Sequence, residues 1–209
     1  MCGRYLTPDE AALERAFGLS APDAYRQSWN LAPSQPAPVV VAGAGGPKLR
    51  MLEWGFRPHW AKRAWINARS ETVLGSKAFA EAARRRRCLV PAVGWYEWQG
   101  DEPPRQPWLI HLDGFRPFAF AGIFTPDGTD RPAGFAILTA DAAGDLAAIH
   151  GRMPVVVDAA DHARWLAAGS GRAAVGEILA DRVLAFAAYK VSSYVNKPEH
   201  SDAACIEPI

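Results

Sequence analysis

The sequence is sparing with cysteine, with charge of one sign and with long apolar runs, and each shortage excludes something. Cys2, Cys88 and Cys205 are the three cysteines, an odd and scattered set. They argue against a disulfide framework, suit a reducing cytosol and match no zinc-ligand spacing. No apolar run approaches the ~18 residues of a membrane span. The stretch from Met1 to Gly18 carries charge early and lacks the apolar centre of a secretory signal. A soluble, cytoplasmic monomer is expected, with no metal and no organic cofactor. The formal net charge of +1 provides no broad basic surface. Any contact with nucleic acid must therefore come from local arrangement of Arg and Lys. Internal repeats, long linkers and low-complexity tracts are lacking too.

What is present suffices for a packed core. The 209 residues are 49% hydrophobic and include eight Trp, which fits one ordinary domain. Thr7-Pro8-Asp9-Glu10 reads as a helix start, with Thr7 as the cap, Glu10 completing a capping box and Gly18 as the stop. Val39 to Ala42 and Leu49 to Gly55 read as strands joined by a glycine-rich hairpin. Cys88 to Trp98 reads as an apolar strand run broken by Gly94. Trp108 to Leu112, Phe118 to Phe124, Gly134 to Thr139, Val155 to Val157 and a stretch near Tyr189 to Val191 read as further strands. Helices are expected from Ser76 to Arg86, from Asp141 to His150, from Asp158 to Trp165 and over residues 173–181. Residues 57–71 read mostly as loop. Hairpins outnumber crossovers, so the expected fold is α/β of the α+β kind. It is a single compact domain over residues 1–209, with a mainly antiparallel, barrel-like sheet and peripheral helices.

Cys2 is the most informative residue. Removal of Met1 would leave it with a free α-amine and a thiol on adjacent carbons. Such a 1,2-aminothiol condenses with an aldehyde to an imine, and the sulfur then closes a thiazolidine ring. The two groups titrate at roughly 8 and 8.5, so modest lowering would make both nucleophilic at cellular pH. Gly3 permits close approach to a ligand, and Arg4 supplies a phosphate-binding group nearby. Otherwise Cys2 is an incidental residue on a frayed terminus.

Three polar residues sit in apolar settings. Glu97, between Tyr96 and Trp98, is either a surface strand residue or a carboxylate whose pKa is raised by desolvation, able to pass protons near neutrality. His150 is either a satisfied structural histidine or an acid/base. Asn67 is either a turn residue or an orienting group. The run Arg84-Arg85-Arg86-Arg87 reads first as a solvated helix end. Arg57, Lys62, Arg63 and Arg69 interleave with Trp54, Phe56, Trp60 and Trp65. That pattern is either an aromatic core with solvated bases or a single-strand surface, where bases stack on rings and cations hold phosphates.

Taken together, Met1-Cys2-Gly3-Arg4-Tyr5, Trp29-Asn30-Leu31-Ala32-Pro33, Trp54-Gly55-Phe56, Ile66 to Glu71, Gly94-Trp95-Tyr96-Glu97-Trp98, Ile149 to Pro154 and Val191 to Asn196 resemble the SOS-response-associated peptidase family. The resemblance covers almost the whole chain, the motifs standing in the family's order. It implies a protein that shields abasic sites by a covalent thiazolidine link between Cys2 and the ring-opened sugar, with single-stranded DNA as partner. It implies that Cys2 is the nucleophile, that Asn67 orients the amine or the sugar, and that Glu97 is the general acid/base. His150 would help open the closed sugar. Arg4, Arg69 and Arg152 would hold phosphates, and Asn30, Pro33 and Trp60 would line or wedge the strand beside the lesion. Two other readings compete. One is a cysteine-type peptidase built on Cys2, His150 and Glu97, with self-removal of Met1 as its restricted form. The other is a non-covalent reader of modified bases, which has no need of a cysteine at position two.

Overall fold

The computed structural model describes residues 2–23, 25–128, 133–170, 172–180 and 185–209. Its strands are β1 (Arg4–Leu6), β2 (Pro36–Gly43), β3 (Gly46–Trp54), β4 (Asn67–Arg69), β5 (Arg87–Ala92), β6 (Gly94–Gln99), β7 (Gln106–His111), β8 (Phe118–Phe124), β9 (Gly134–Asp141), β10 (Arg152–Pro154), β11 (Val156–Val157) and β12 (Ala187–Lys190). The helices are α1 (Glu10–Phe17), α2 (Ser70–Val73), α3 (Ala80–Arg85), α4 (His162–Leu166) and α5 (Arg172–Ala180). This is a mixed, sheet-dominated domain with few, peripheral helices, as expected.

Among the described residues the strands form two sheets. The larger runs β10-β9-β3-β2-β5-β8-β11, with β4 added on β9. Because β9 also pairs with β8, the strands β9, β3, β2, β5 and β8 close into a ring. Pairing is antiparallel except where β9 meets β3 and β4. At the first of these junctions only glycine fits, since a Cβ on Gly134 would lie 2.1 Å from the carbonyl oxygen of Gly55. The smaller sheet is antiparallel, in the order β1-β6-β7-β12.

Side-chain alternation explains why the strands read as nearly continuous apolar runs. Val39 and Val41 belong to a cluster with Trp54, Val90, Phe120, Phe135 and Ile137, which also takes in Cys2, Tyr5 and Trp95. Val40 points the other way, with Leu89, Ala121, Ile123 and Leu138, and is covered by Trp165 of α4 and by Ile178 and Leu179 of α5. Both faces are therefore buried, a situation that masks the period of two. A third cluster joins Leu6, Tyr96 and Leu109 of the small sheet to Val191, Val195 and Cys205 of the C-terminal segment.

Several boundaries differ from the sequence reading. Asp9, not Thr7, caps α1, accepting from the Ala12 amide at 2.6 Å. Buried Thr7 instead accepts from the Ser28 amide. Gly18 ends the helix at φ 65°. The stretch before His150 is a 3-10 turn, Gly144–Ala148, and the helix after Ser76 is only α3. Residue 181, Met1 and part of the β8–β9 loop lie outside the described residues. The arginine run is divided. Arg84 and Arg85 are exposed, while Arg86 pairs with Glu81. Arg87 is buried and donates to the carbonyls of Ala83, Arg84, Trp165 and Ala167, pinning α3 and α4 together.

Candidate active site

Cys2 is not frayed. Its residue is fully buried, and two groups hold it there. The following strand β1 pairs with β6, Arg4 opposite Tyr96 and Tyr5 opposite Trp95. On the other side, the Asn67 side-chain amide donates to the Cys2 carbonyl at 2.8 Å. Asn67 is itself placed by β4, where it stands opposite Ile137 of β9. The preceding carbonyl, of Ile66, accepts from the Trp54 indole and from the Ile137 amide, each at 3.0 Å. Asn67 Oδ1 is buried with no hydrogen-bond partner among the described residues. A buried acceptor left open beside the first residues of the chain suits an N–H donor.

Burial drives the Cys2 thiol pKa well above its ordinary value, and the nearby negative charge of Glu97 pushes it further the same way. The direction is opposite to the modest lowering that would make the thiol nucleophilic at cellular pH. Arg4 turns its guanidinium away, to Asn30 Oδ1 and the carbonyl of Val195, both at 3.0 Å, and to the carbonyl of Asn196 at 3.1 Å. Near neutrality a thiol so placed keeps its proton, and only a base at hand would make it a nucleophile.

Glu97 supplies a group matched to that task. It lies on β6 with its side chain 3% exposed. Burial raises its pKa from 4.5 to about 7, so near neutrality it is divided between acid and base forms. Its Oε2 is 4.0 Å from Nδ1 of His150. Nδ1 also lies 3.0 Å from both the amide and the carbonyl of Arg152, accepting from the first or donating to the second according to the tautomer. Burial lowers the His150 pKa, so the ring is neutral where Glu97 titrates. The acid and the imidazole thus sit side by side with their proton affinities set by their surroundings.

The remaining predicted residues divide. Arg69 is exposed, and Trp60 is 56% exposed. Trp60 packs against Trp65 at the lip of a cleft that Arg57, His59 and Lys77 also line. Trp54 and Phe56 are buried core, so the interleaved pattern is part core and part surface. Pro33 is half-buried. Asn30 is fully buried, its amide donating to the carbonyls of Val195, Lys197 and His200. Arg152 is engaged through both terminal nitrogens, while its Nε is buried with no hydrogen-bond partner among the described residues. Its guanidinium holds both oxygens of Glu71 at 2.7 and 3.1 Å, Asp141 at 2.5 Å and the Thr139 carbonyl at 2.7 Å. Glu71 had no assigned role in the sequence reading, although an acid in the first turn of α2 was visible within the same motif. No group of three or more metal-ligating side chains occurs among the described residues.

A family model for the SOS response associated peptidase (SRAP) matches residues 1–198. The chain belongs to this family. Among curated SRAP relatives, the abasic site processing protein YoaM of Bacillus subtilis is 32% identical, over 88% of this chain and 86% of its own. The abasic site processing protein HMCES of Gallus gallus is 29% identical, over 88% of this chain and 67% of its own. Among solved structures, a phage-related protein from Bordetella bronchiseptica superposes with a TM-score of 0.76 at 30% identity, over 91% of this chain and 94% of that one. A protein from Bacteroides thetaiotaomicron shares the fold with a TM-score of 0.84 at 20% identity, over the whole of both chains. Among the described residues, no helix is long and apolar enough to cross a membrane.

Proposed function

We propose that this SRAP protein processes abasic sites in single-stranded DNA by forming a thiazolidine with the lesion through Cys2, once Met1 has been removed. The observation that carries the reading is the placement of a buried Cys2 beside Glu97, with its carbonyl gripped by Asn67. A cysteine whose purpose was packing alone would not need a carboxyl of pKa about 7 next to it.

The closed sugar opens when its ring oxygen takes a proton and its anomeric hydroxyl gives one up, an exchange suited to the acid form of Glu97 as donor and the neutral imidazole of His150 as acceptor, the proton then returning from imidazolium to carboxylate. The Cys2 amine adds to the freed aldehyde, and the carbinolamine loses water to give an imine. The thiol then adds to the protonated imine carbon, forming the C–S bond as Glu97 accepts the sulfur's proton. The net change is protein plus aldehyde giving thiazolidine plus water. Asn67 Oδ1 is suited to aim the amine. Exposed Arg69 is suited to a phosphate and exposed Trp60 to stacking beside the lesion. Arg4 and Asn30, engaged internally, act on Cys2 through β1. Arg152 receives a phosphate only if Glu71 or Asp141 yields; in the free protein it holds the His150 loop. Asn67→Ala should therefore slow crosslinking to an abasic oligonucleotide roughly 10- to 100-fold, the cost of losing orientation, without changing non-covalent affinity. Unaltered crosslinking kinetics would remove Asn67 from the mechanism.

A further inference from the structure

Beside the Glu97 site lies a second cavity, of about 500 Å³, whose lining includes Gln99, Trp108, Leu146, Ile149, Met153 and Phe186. Its position follows from strand register. Glu97 on β6 stands opposite Trp108 on β7, and Trp108 stands opposite Lys190 on β12. Cross-strand partners project from the same face, so carboxyl, indole and ammonium form a row at steps of roughly 5 Å. Gln99, two residues beyond Glu97, shares that face. Ile149 adjoins His150 on the opposite wall.

The cavity is built rather than incidental. The Trp108 indole donates to Gln99 Oε1 at 3.0 Å, and Gln99 Nε2 donates to the Ala148 carbonyl at 2.8 Å, so Gln99 ties the strand wall to the loop wall. Lys190 Nζ lies 5.6 Å over the Trp108 ring. Phe186 is fixed edge-on against Trp95 at 4.9 Å. The walls offer aromatic and aliphatic surface with the exposed Asp145 as their one charged side chain, and both polar ends of Gln99 are already used. An occupant is therefore held by its flat apolar faces and not by a hydrogen-bond code.

We propose that this cavity receives the nucleobase of the nucleotide adjoining the abasic sugar, stacked against Trp108, with Lys190 facing that nucleotide's phosphate. The inference rests on the DNA reading above, because an occupant one strand away from Glu97 must be continuous with the sugar bonded to Cys2. Stacking without hydrogen-bond readout makes the subsite tolerant of sequence but dependent on a base being there. Trp108 is a specificity residue in this account: it registers that the lesion lies within a strand.

The test compares crosslinking rates, at subsaturating protein, on single-stranded oligonucleotides with one abasic site. The neighbouring nucleotide is either ordinary or a base-less tetrahydrofuran unit, placed 5′ or 3′. Free deoxyribose 5-phosphate serves as an abasic sugar with no neighbour. For the native protein, loss of the base on one side should slow crosslinking about tenfold, and loss on the other side should change it much less. Trp108→Ala should abolish that difference while reacting normally with deoxyribose 5-phosphate. Ala143→Leu, which fills the cavity from its exposed rim, should do the same without opening the core. Native rates that ignore both neighbouring bases would overturn the subsite while leaving the Cys2 chemistry intact. So would variants that lose the deoxyribose 5-phosphate reaction in equal measure. Absence of any Cys2-dependent adduct would sink the DNA reading and the subsite with it.

Discussion

At the scale of single residues, Glu97 ties reactivity to pH and to stability at once. Its pKa in the folded chain is raised by burial to about 7. Between 4.5 and about 7 the folded state therefore holds more protons than the unfolded chain, and stability falls as pH rises through that window. Glu97→Gln removes this penalty. Above pH ~7.5 it should stabilise the fold by about 3 kcal/mol or less, the worth of the shift at ~1.4 kcal/mol per unit. Near pH ~4 the gain should vanish. Melting temperatures across pH check this, and a variant less stable than the native protein at alkaline pH would contradict the assigned burial cost. The same substitution should flatten the pH–rate profile of crosslinking around neutrality, since the base that takes the thiol proton is gone. At this scale the apolar setting of Glu97 offered desolvation as one of two readings, but for an incomplete reason, since Tyr96 and Trp98 project from the other face of β6 into the cluster of the small sheet. The thiol's raised pKa was not readable, because the groups that bury Cys2 come from distant strands. Nor was the engagement of Arg152, whose partners Glu71 and Asp141 stand 81 and 11 residues away.

At the scale of elements, the C-terminal segment is a strap over β1. Buried Asn30 and Arg4 together take carbonyls from Val195, Asn196, Lys197 and His200. The Trp98 indole adds a bond to Asn196 Oδ1 at 2.7 Å. Asn30→Ala removes the amide's bonds to the carbonyls of Val195, Lys197 and His200 and the acceptor of the Arg4 guanidinium, each worth ~0.5–1.5 kcal/mol. It should lower stability by roughly 2–4 kcal/mol and slow crosslinking through displacement of β1. Thermal melts together with crosslinking rates check both, and an unchanged melting temperature would refute the strap. The strands flanking tight turns were legible from composition, as at the β2–β3 hairpin, where glycines interrupt valine-rich runs. β1 and β4 were not. Each has three residues and draws its conformation from its partner strand. Short elements have too few residues for a period to show.

At the scale of the whole molecule, a net charge of +1 means that DNA affinity depends on where a few cations stand. Arg69 is exposed at the end of β4, the strand that also carries Asn67, and stands at the N-cap position of α2. Arg69→Ala should weaken single-strand binding and reduce the slope of log affinity against log salt by about 1. Fluorescence anisotropy at several salt concentrations measures this, and an identical slope would place the phosphate elsewhere. The ring-like sheet was foreseeable from the succession of hairpins, but the closing pair β8–β9 and the parallel approach of β9 to β3 depend on contacts far apart in sequence. The central claim is that a mature Cys2 bonds covalently to an abasic sugar. Intact-mass spectrometry tests it directly, on protein lacking Met1, incubated with a single-stranded oligonucleotide bearing one abasic site and then denatured. The account predicts one adduct with the mass of protein plus oligonucleotide less one water, absent from Cys2→Ala. Mature protein that gives no denaturant-stable adduct, or an adduct that persists in Cys2→Ala, would contradict it.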